Sequence, residues 1–290
     1  MSDNTRGLLW ALLAVALFAT AVALAKVAAV HYHVLQILFF RQVTVLLSSL
    51  PEVAKFYPQG LRTKRPGAHF IRLAGAFVAM SCGIWAVTVL PLTTAVTLGF
   101  TQVFFTTLLA FLLLREPVGP YRLSAVIVGF IGVLVVMRPG VNGLLDWHVL
   151  IPVVGAMGGG VAVTSVRRLA GTETTATLLF YQSLFVGLLS GVPLLWLWTT
   201  PDLEGWILLL SMGVIATAGQ WFGVRSLRLG EASVIGNMEY TRLIHATILG
   251  YFLFAEVPDI WTIAGATLIV GSSAFVFHRE NAARKRSLKT

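Results

Sequence analysis

Leu38-Phe39-Phe40-Arg41-Gln42 returns 140 residues later as Leu178-Leu179-Phe180-Tyr181-Gln182. The same distance carries Ala79 and Gly83 onto Gly219 and Gly223, and Phe100-Thr101 onto Tyr240-Thr241. It also carries Leu109, Leu113 and Glu116 onto Leu249, Leu253 and Glu256, with no gap needed. The chain reads as a tandem duplication. A duplicated membrane unit with an odd number of spans places its copies in opposite orientations, a geometry found mainly in transporters.

Composition makes the membrane reading necessary. The chain is 57% hydrophobic and 11% charged, whereas soluble proteins carry about 25% charged residues. Apolar runs of spanning length recur from end to end, which predicts a polytopic helical membrane protein. They are continuous, unlike the short alternating segments of a membrane β-barrel. The net charge of +9 does not indicate nucleic-acid binding, because the cations sit in short loops and the C-terminal tail. Cys82 is the single cysteine and forms no intrachain disulfide. Ala23-Leu24-Ala25 resembles a signal-peptide cleavage site, but the apolar stretch from Leu8 is longer than an ordinary signal core. We read it as a retained first helix.

Ten spans are expected, near 8–28, 34–51, 69–90, 94–114, 120–137, 148–167, 175–198, 206–227, 233–254 and 259–277. Proline and glycine separate most of them. With the N-terminus taken as cytoplasmic, 17 of the 21 Lys and Arg fall in inside segments, Arg65 and Arg72 among them. Lys26 and Arg138 fall outside, and Arg41 and Arg242 within spans. That asymmetry fits an even number of spans with both termini inside. The expected fold is all-α integral membrane, with ten transmembrane helices as two inverted five-helix repeats. The first covers 1–140, the second 141–278, and 279–290 is a basic cytoplasmic tail. Gly155-x-x-x-Gly159, Gly187-x-x-x-Gly191 and Gly219-x-x-x-Gly223 mark close helix contacts. Gly158-Gly159-Gly160 reads equally as a bend, a ligand approach or tight packing.

No catalytic or cofactor signature is present: the sequence holds no Gly-x-Ser-x-Gly, His-Glu-x-x-His or Walker A pattern. Ionisable residues at membrane depth carry the chemical interest, because each is costly in lipid. Glu239, Arg242 and His245 recur every three residues on one side of a helix, as a site for proton or charge coupling or as an ion pair that neutralises itself. Arg41 could hold a substrate carboxylate through its planar fork, snorkel, or pair with Glu239. Lys26, at the outer end of span one, is expected to snorkel. Met80, Ser81, Trp85, Thr101 and Gln102 form the first-half set of candidate substrate contacts near mid-span. Gln220, Trp221 and Tyr240 form the second-half set.

The Glu-Pro pair in Arg115-Glu116-Pro117 precedes a span rich in Gly and Val, from Ala125 to Leu134. Ala255-Glu256-Val257-Pro258 precedes Ile263-Ala264-Gly265-Ala266 in the second half. The whole chain resembles the drug/metabolite transporter superfamily in its EamA-type ten-helix form. Within it, Leu98-Gly99-Phe100-Thr101-Gln102 after Pro91-Leu92 is most similar to YddG-type amino-acid exporters. That resemblance implies a bacterial inner-membrane carrier of aromatic and other amino acids, with a central cavity and with spans five and ten peripheral. The expected function is secondary transport of small metabolites by alternating access. Drugs or nucleotide-type compounds are the alternative substrate class, and an intramembrane enzyme or a channel the competing function. The expected partners are a small-molecule substrate and the lipid bilayer, with no nucleic acid, cofactor or metal, as a monomer or homodimer.

Overall fold

The protein, a computed structural model, is described over residues 3–55, 65–114, 120–137, 147–169, 175–229 and 237–287, all helix and connecting turn. In the first half, α1 is Asp3–Ala28, α2 Val34–Lys55, α3 Pro66–Val89, α4 Leu92–Gly99, α5 Gln102–Leu114 and α6 Pro120–Met137. In the second, α7 is Leu150–Leu169, α8 Thr175–Gly191, α9 Leu194–Leu197, α10 Leu203–Leu229, α11 Thr241–Phe254 and α12 Ile260–Ser287. Short 3-10 turns, Trp147–Val149 and Asn237–Tyr240, lead into α7 and α11. Among the described residues, six helical stretches are long and apolar enough to cross a membrane, and three more are apolar but shorter. Arg115-Glu116-Pro117, Arg138 and residues 233–236 lie outside the described residues.

Proline and aspartate set several boundaries. Pro66 and Pro120 open α3 and α6, where a missing N–H costs nothing. Pro91 separates α3 from α4. Asp202 and Asp259 cap α10 and α12, their Oδ1 atoms accepting from Gly205 N at 2.8 Å and Thr262 N at 2.7 Å. Each such cap is worth about 1 kcal/mol. Tyr32 bonds the same Asp202; burial and that carboxylate's charge hold its hydroxyl above the ordinary tyrosine range.

Three helix boundaries differ from expectation. The span expected over 94–114 is two helices, broken at Phe100-Thr101. The span expected to reach 198 stops at Gly191 and restarts after Pro193, which cannot donate into a helix. The last helix runs on to Ser287, into the expected tail, because Ala, Arg, Glu and Lys are strong helix formers.

The most extensive contacts join the halves: α1 with α10, α3 with α7, α2 with α8, and α6 with α12. Exchanging the halves leaves this pairing unchanged, since α1 and α3 correspond to α7 and α10. The crossings are close. A Cβ on Gly75 would stand 2.7 Å from Gly158 O, and one on Gly158 2.8 Å from Gly75 O. Gly159 leaves room for the Gln102 side chain, and Gly160 packs against Phe105. The glycine triplet is therefore tight packing inside a continuous α7, not a bend. One core cluster holds Leu98, Phe104, Val133 and Ile269; a second holds Ile37, Leu38, Val186, Leu209 and Met212.

Two cations are placed otherwise than expected. Lys26 does not snorkel. Its Nζ donates to Glu256 Oε1 at 2.5 Å and to Leu90 O at 2.7 Å. Glu256 Oε2 in turn accepts from Leu92 N at 2.7 Å, which joins α1, the α3–α4 turn and the end of α11. Arg72, counted among the cations of the inside segments, is 4% exposed within the bundle.

Candidate functional site

The break between α4 and α5 has a counterpart in the second half, the 3-10 turn Asn237–Tyr240 that leads into α11. In the first, Thr101 Oγ1 donates to Leu98 O at 2.6 Å. In the second, Thr241 Oγ1 donates to Met238 O, also at 2.6 Å. Both pairs lie 140 residues apart in register. A threonine hydroxyl that binds the carbonyl three residues back competes with the regular ladder and lets the helix tighten or break. The two turns meet: Phe100 stacks on Tyr240 with centroids 5.9 Å apart and planes 27° from parallel. Irregular backbone at membrane depth is tolerated where it lines a cavity, and it does so here.

The cavity measures about 560 Å³ and lies between the halves. Its wall includes Val22 and Ala25 of α1, Met80 and Gly83 of α3, and Gly99 and Phe100 at the first break. Pro152 and Gly155 of α7 and Met212 and Ala216 of α10 close it from the other side. Val22, Ala25, Met80 and Gly83 lie in the halves of α1 and α3 that lead to the α1–α2 and α3–α4 turns, while Pro152, Gly155 and Met212 lie in the first halves of α7 and α10. The volume is in the range of small-molecule sites, and the wall is mainly apolar.

Arg41, Gln102, Glu239 and Arg242 supply the chemistry. Arg41 and Arg242 place two like charges on the wall of one cavity. Arg242 Nε is buried with no hydrogen-bond partner among the described residues. Glu239 pairs with neither arginine, since the one ion pair among the described residues is Lys26 with Glu256. The expected Glu239–Arg242 pair assumed a continuous helix; a 3-10 turn ends and α11 begins between them. The arrangement is a small apolar chamber with two cations, one carboxylate and one amide.

The remaining candidates lie elsewhere. Ser81 Oγ bonds Phe77 O in its own helix at 2.7 Å. Trp85 is exposed and meets Trp147 edge-on. Thr101 is fully buried as the break residue. Tyr240 stands behind Phe100, Gln220 is half-buried on α10, and Trp221 is 46% exposed on the perimeter. His245 Nδ1 lies 2.9 Å from Thr241 O in its own helix. Among the described residues no cluster of His, Cys, Asp or Glu could hold a metal.

One contributor escaped sequence reasoning. Gln42 is 1% exposed, and its Nε2 donates to Met80 S at 3.1 Å, which fixes that side chain at the cavity wall. The signal was present, because Gln42 and Gln182 are identical in the two copies while Arg41 and Tyr181 are not.

Comparison with known proteins agrees with this architecture. The chain is 26% identical over 274 residues to an S-adenosylmethionine uptake transporter of Rickettsia prowazekii, covering 94% of this chain and 93% of that one. It is 29% identical over 253 residues to a riboflavin transporter of Brucella anthropi, covering 84% and 88%. It is 30% identical over 272 residues to the pseudopaline exporter CntI of Pseudomonas aeruginosa, covering 91% and 93%. A solved crystal structure superposes with a TM-score of 0.58 at 18% identity, covering 94% of this chain and 96% of that one, which bears on the fold alone. The family model described as the EamA-like transporter family matches residues 5–138 and again 146–278. Matched twice, over nearly its whole length, the chain belongs to the EamA-like transporter family and is a small-molecule transporter of the membrane.

Proposed function

We propose that the chain is a secondary transporter of the bacterial inner membrane that carries small metabolites bearing an anionic group, amino acids favoured, by alternating access. Its frame in this reading is ten spans in two inverted five-helix repeats, 1–140 and 141–278, with both termini and the 279–290 tail cytoplasmic. A helix pairing that survives exchange of the halves supports the repeat, and the Lys and Arg asymmetry supports the orientation.

One observation carries the substrate class: Arg41 and Arg242 face one cavity and, among the described residues, neither is paired with a carboxylate. An unpaired guanidinium at membrane depth is costly, and a carboxylate received in its fork relieves that cost. Gln102 would orient a second polar group, Met80 and Phe100 would enclose an apolar part, and Glu239 would hold an ammonium or a coupling proton. His245, bonded within its own helix, is the weaker coupling candidate. The relatives are named for uptake and for export, so no direction is proposed.

A second reading, a larger aromatic metabolite of the nucleotide type, is favoured by the Phe100–Tyr240 stack. A thermal-shift screen over amino acids, nucleosides and riboflavin separates the two. Carboxylate ligands should raise the melting temperature with concentration. Arg41→Gln should weaken them about tenfold to a hundredfold, the loss of one charge-assisted hydrogen bond. Equal stabilisation of wild type and Arg41→Gln, or a response confined to neutral aromatic compounds, refutes the anionic class.

A further inference from the structure

If the repeats are inverted as proposed, each half can take the conformation its twin shows. Exchanging the two turns the open cavity to the other side of the membrane. Each residue of the present wall then gives its place to its twin 140 residues away. The exchange carries Met212 onto Arg72, Ala216 onto Ala76, Ala25 onto Ser165, Ala86 onto Ser226 and Gly155 onto Val15. Arg72, Ala76, Ser165, Ser226 and Val15 do not line the present cavity; they are buried in the packing, as the wall residues they mirror are buried behind the cavity surface. Four residues behave differently. Gly99 is the twin of Glu239 and Gln102 the twin of Arg242, and all four line the present cavity. They remain in it whichever way it faces.

Arg72 is the consequential twin. Its register holds in space as well as in sequence. Met212 packs in one cluster with Leu38, while Arg72 donates to Leu178 O at 3.1 Å and to Gln182 Oε1 at 2.9 Å. Leu178 and Gln182 are the echoes of Leu38 and Gln42. Where the second half has a thioether, the first has a guanidinium. Its Nε has no hydrogen-bond partner, and no carboxylate pairs with it among the described residues. Two neutral oxygens are sparse coordination for so deeply buried a cation.

We propose that Arg72 is the anion-binding residue of a second cavity, closed in this structure, that opens on the opposite side of the membrane and shares Arg242 with the present one. Its ligand is a small molecule bearing a carboxylate or phosphate group. Open one way, the site presents Arg41 and Arg242 with Glu239. Open the other way, it presents Arg72 and Arg242 with Glu239, and Tyr181 takes the place of Arg41. The charge of the site is the same in both states. The failure of the echo at Arg41 is offset by its failure at Met212, and the anion meets two guanidiniums at either end of its passage.

Single cysteines in a Cys82→Ala background test this in reconstituted vesicles. The probes are two membrane-impermeant thiol reagents, 2-sulfonatoethyl methanethiosulfonate and its cationic trimethylammonium analogue. Ala216→Cys reports the present cavity; Ala76→Cys, one helical turn from Arg72, reports the second. Ala216→Cys should be modified from one face of the membrane and Ala76→Cys from the other. Adding Arg72→Gln to Ala76→Cys should slow the anionic reagent about threefold and speed the cationic one equally, the effect of one unit charge ~6 Å away in water. Arg72→Lys should keep the original ratio. If Ala76→Cys does not fold, Ser165→Cys stands in with the same expected directions. Opposite-face labelling whose charge ratio ignores Arg72→Gln removes Arg72 from the cavity and leaves alternating access intact. Labelling of both cysteines from one face, or of Ala76→Cys from neither, overturns the inverted repeat and the proposal with it.

Discussion

Replacing Glu256 by glutamine removes one charge and little else. Glu256 binds Lys26 Nζ at 2.5 Å through one oxygen and Leu92 N at 2.7 Å through the other. The Lys26 and Glu256 side chains are 15% and 18% exposed, so solvent screens the pair only in part. Fully exposed pairs contribute ~0–1 kcal/mol, while losing one partner of a buried pair costs ~3–5 kcal/mol. At this depth Glu256→Gln should cost about 2 kcal/mol, between those limits. The glutamine oxygen still accepts from Leu92. Glu256→Ala removes that acceptor as well and should cost about 1 kcal/mol more. The assay is a double-mutant cycle with Lys26→Met, read as unfolding free energy in mixed detergent micelles. A coupling of about 2 kcal/mol is expected. Single effects that add to within ~0.5 kcal/mol would refute the pair as a link between the halves.

Three further outcomes are expected. Gly75→Ala drives a methyl against Gly158 O and should destabilise by about 1–3 kcal/mol, read in the same micelle assay. Among the described residues Ala255 is the non-glycine residue with positive φ, at 53°; Ala255→Gly should stabilise by about 1 kcal/mol, seen as a rise in melting temperature. Trp221→Ala removes an exposed perimeter ring outside the cavity; ligand affinity by thermal shift should stay within about twofold of wild type, as for a surface site.

Hydropathy made the helices legible because each is a continuous apolar run, and the echo made the duplication legible because it runs without gaps. What hydropathy could not show is the break at Phe100-Thr101. Gly99, Phe100 and Thr101 suit a helix as well as a turn, and hydropathy does not distinguish the two. The echo did hold the clue, since Phe100-Thr101 and Tyr240-Thr241 are the same device used twice. Arg41, Met80, Gln102, Glu239 and Arg242 could be placed by depth and chemistry. Trp85 and Trp221 could not, because mid-span depth says nothing about which side of a helix meets the cavity. Lys26 was misplaced for a related reason: its partner Glu256 lies at the far end of the chain, and sequence distance hides such pairs.

The pairing of helices across the halves has a consequence for synthesis. The principal partner of α1 is α10, which ends about 200 residues later, a delay of roughly 10–40 s at ribosomal speed. Until then α1, α2 and α3 wait in the bilayer without their main neighbours, and Arg41 and Arg72 wait with them. The first half therefore completes its packing only when its twin has been made, and the contacts that hold it are the last to form.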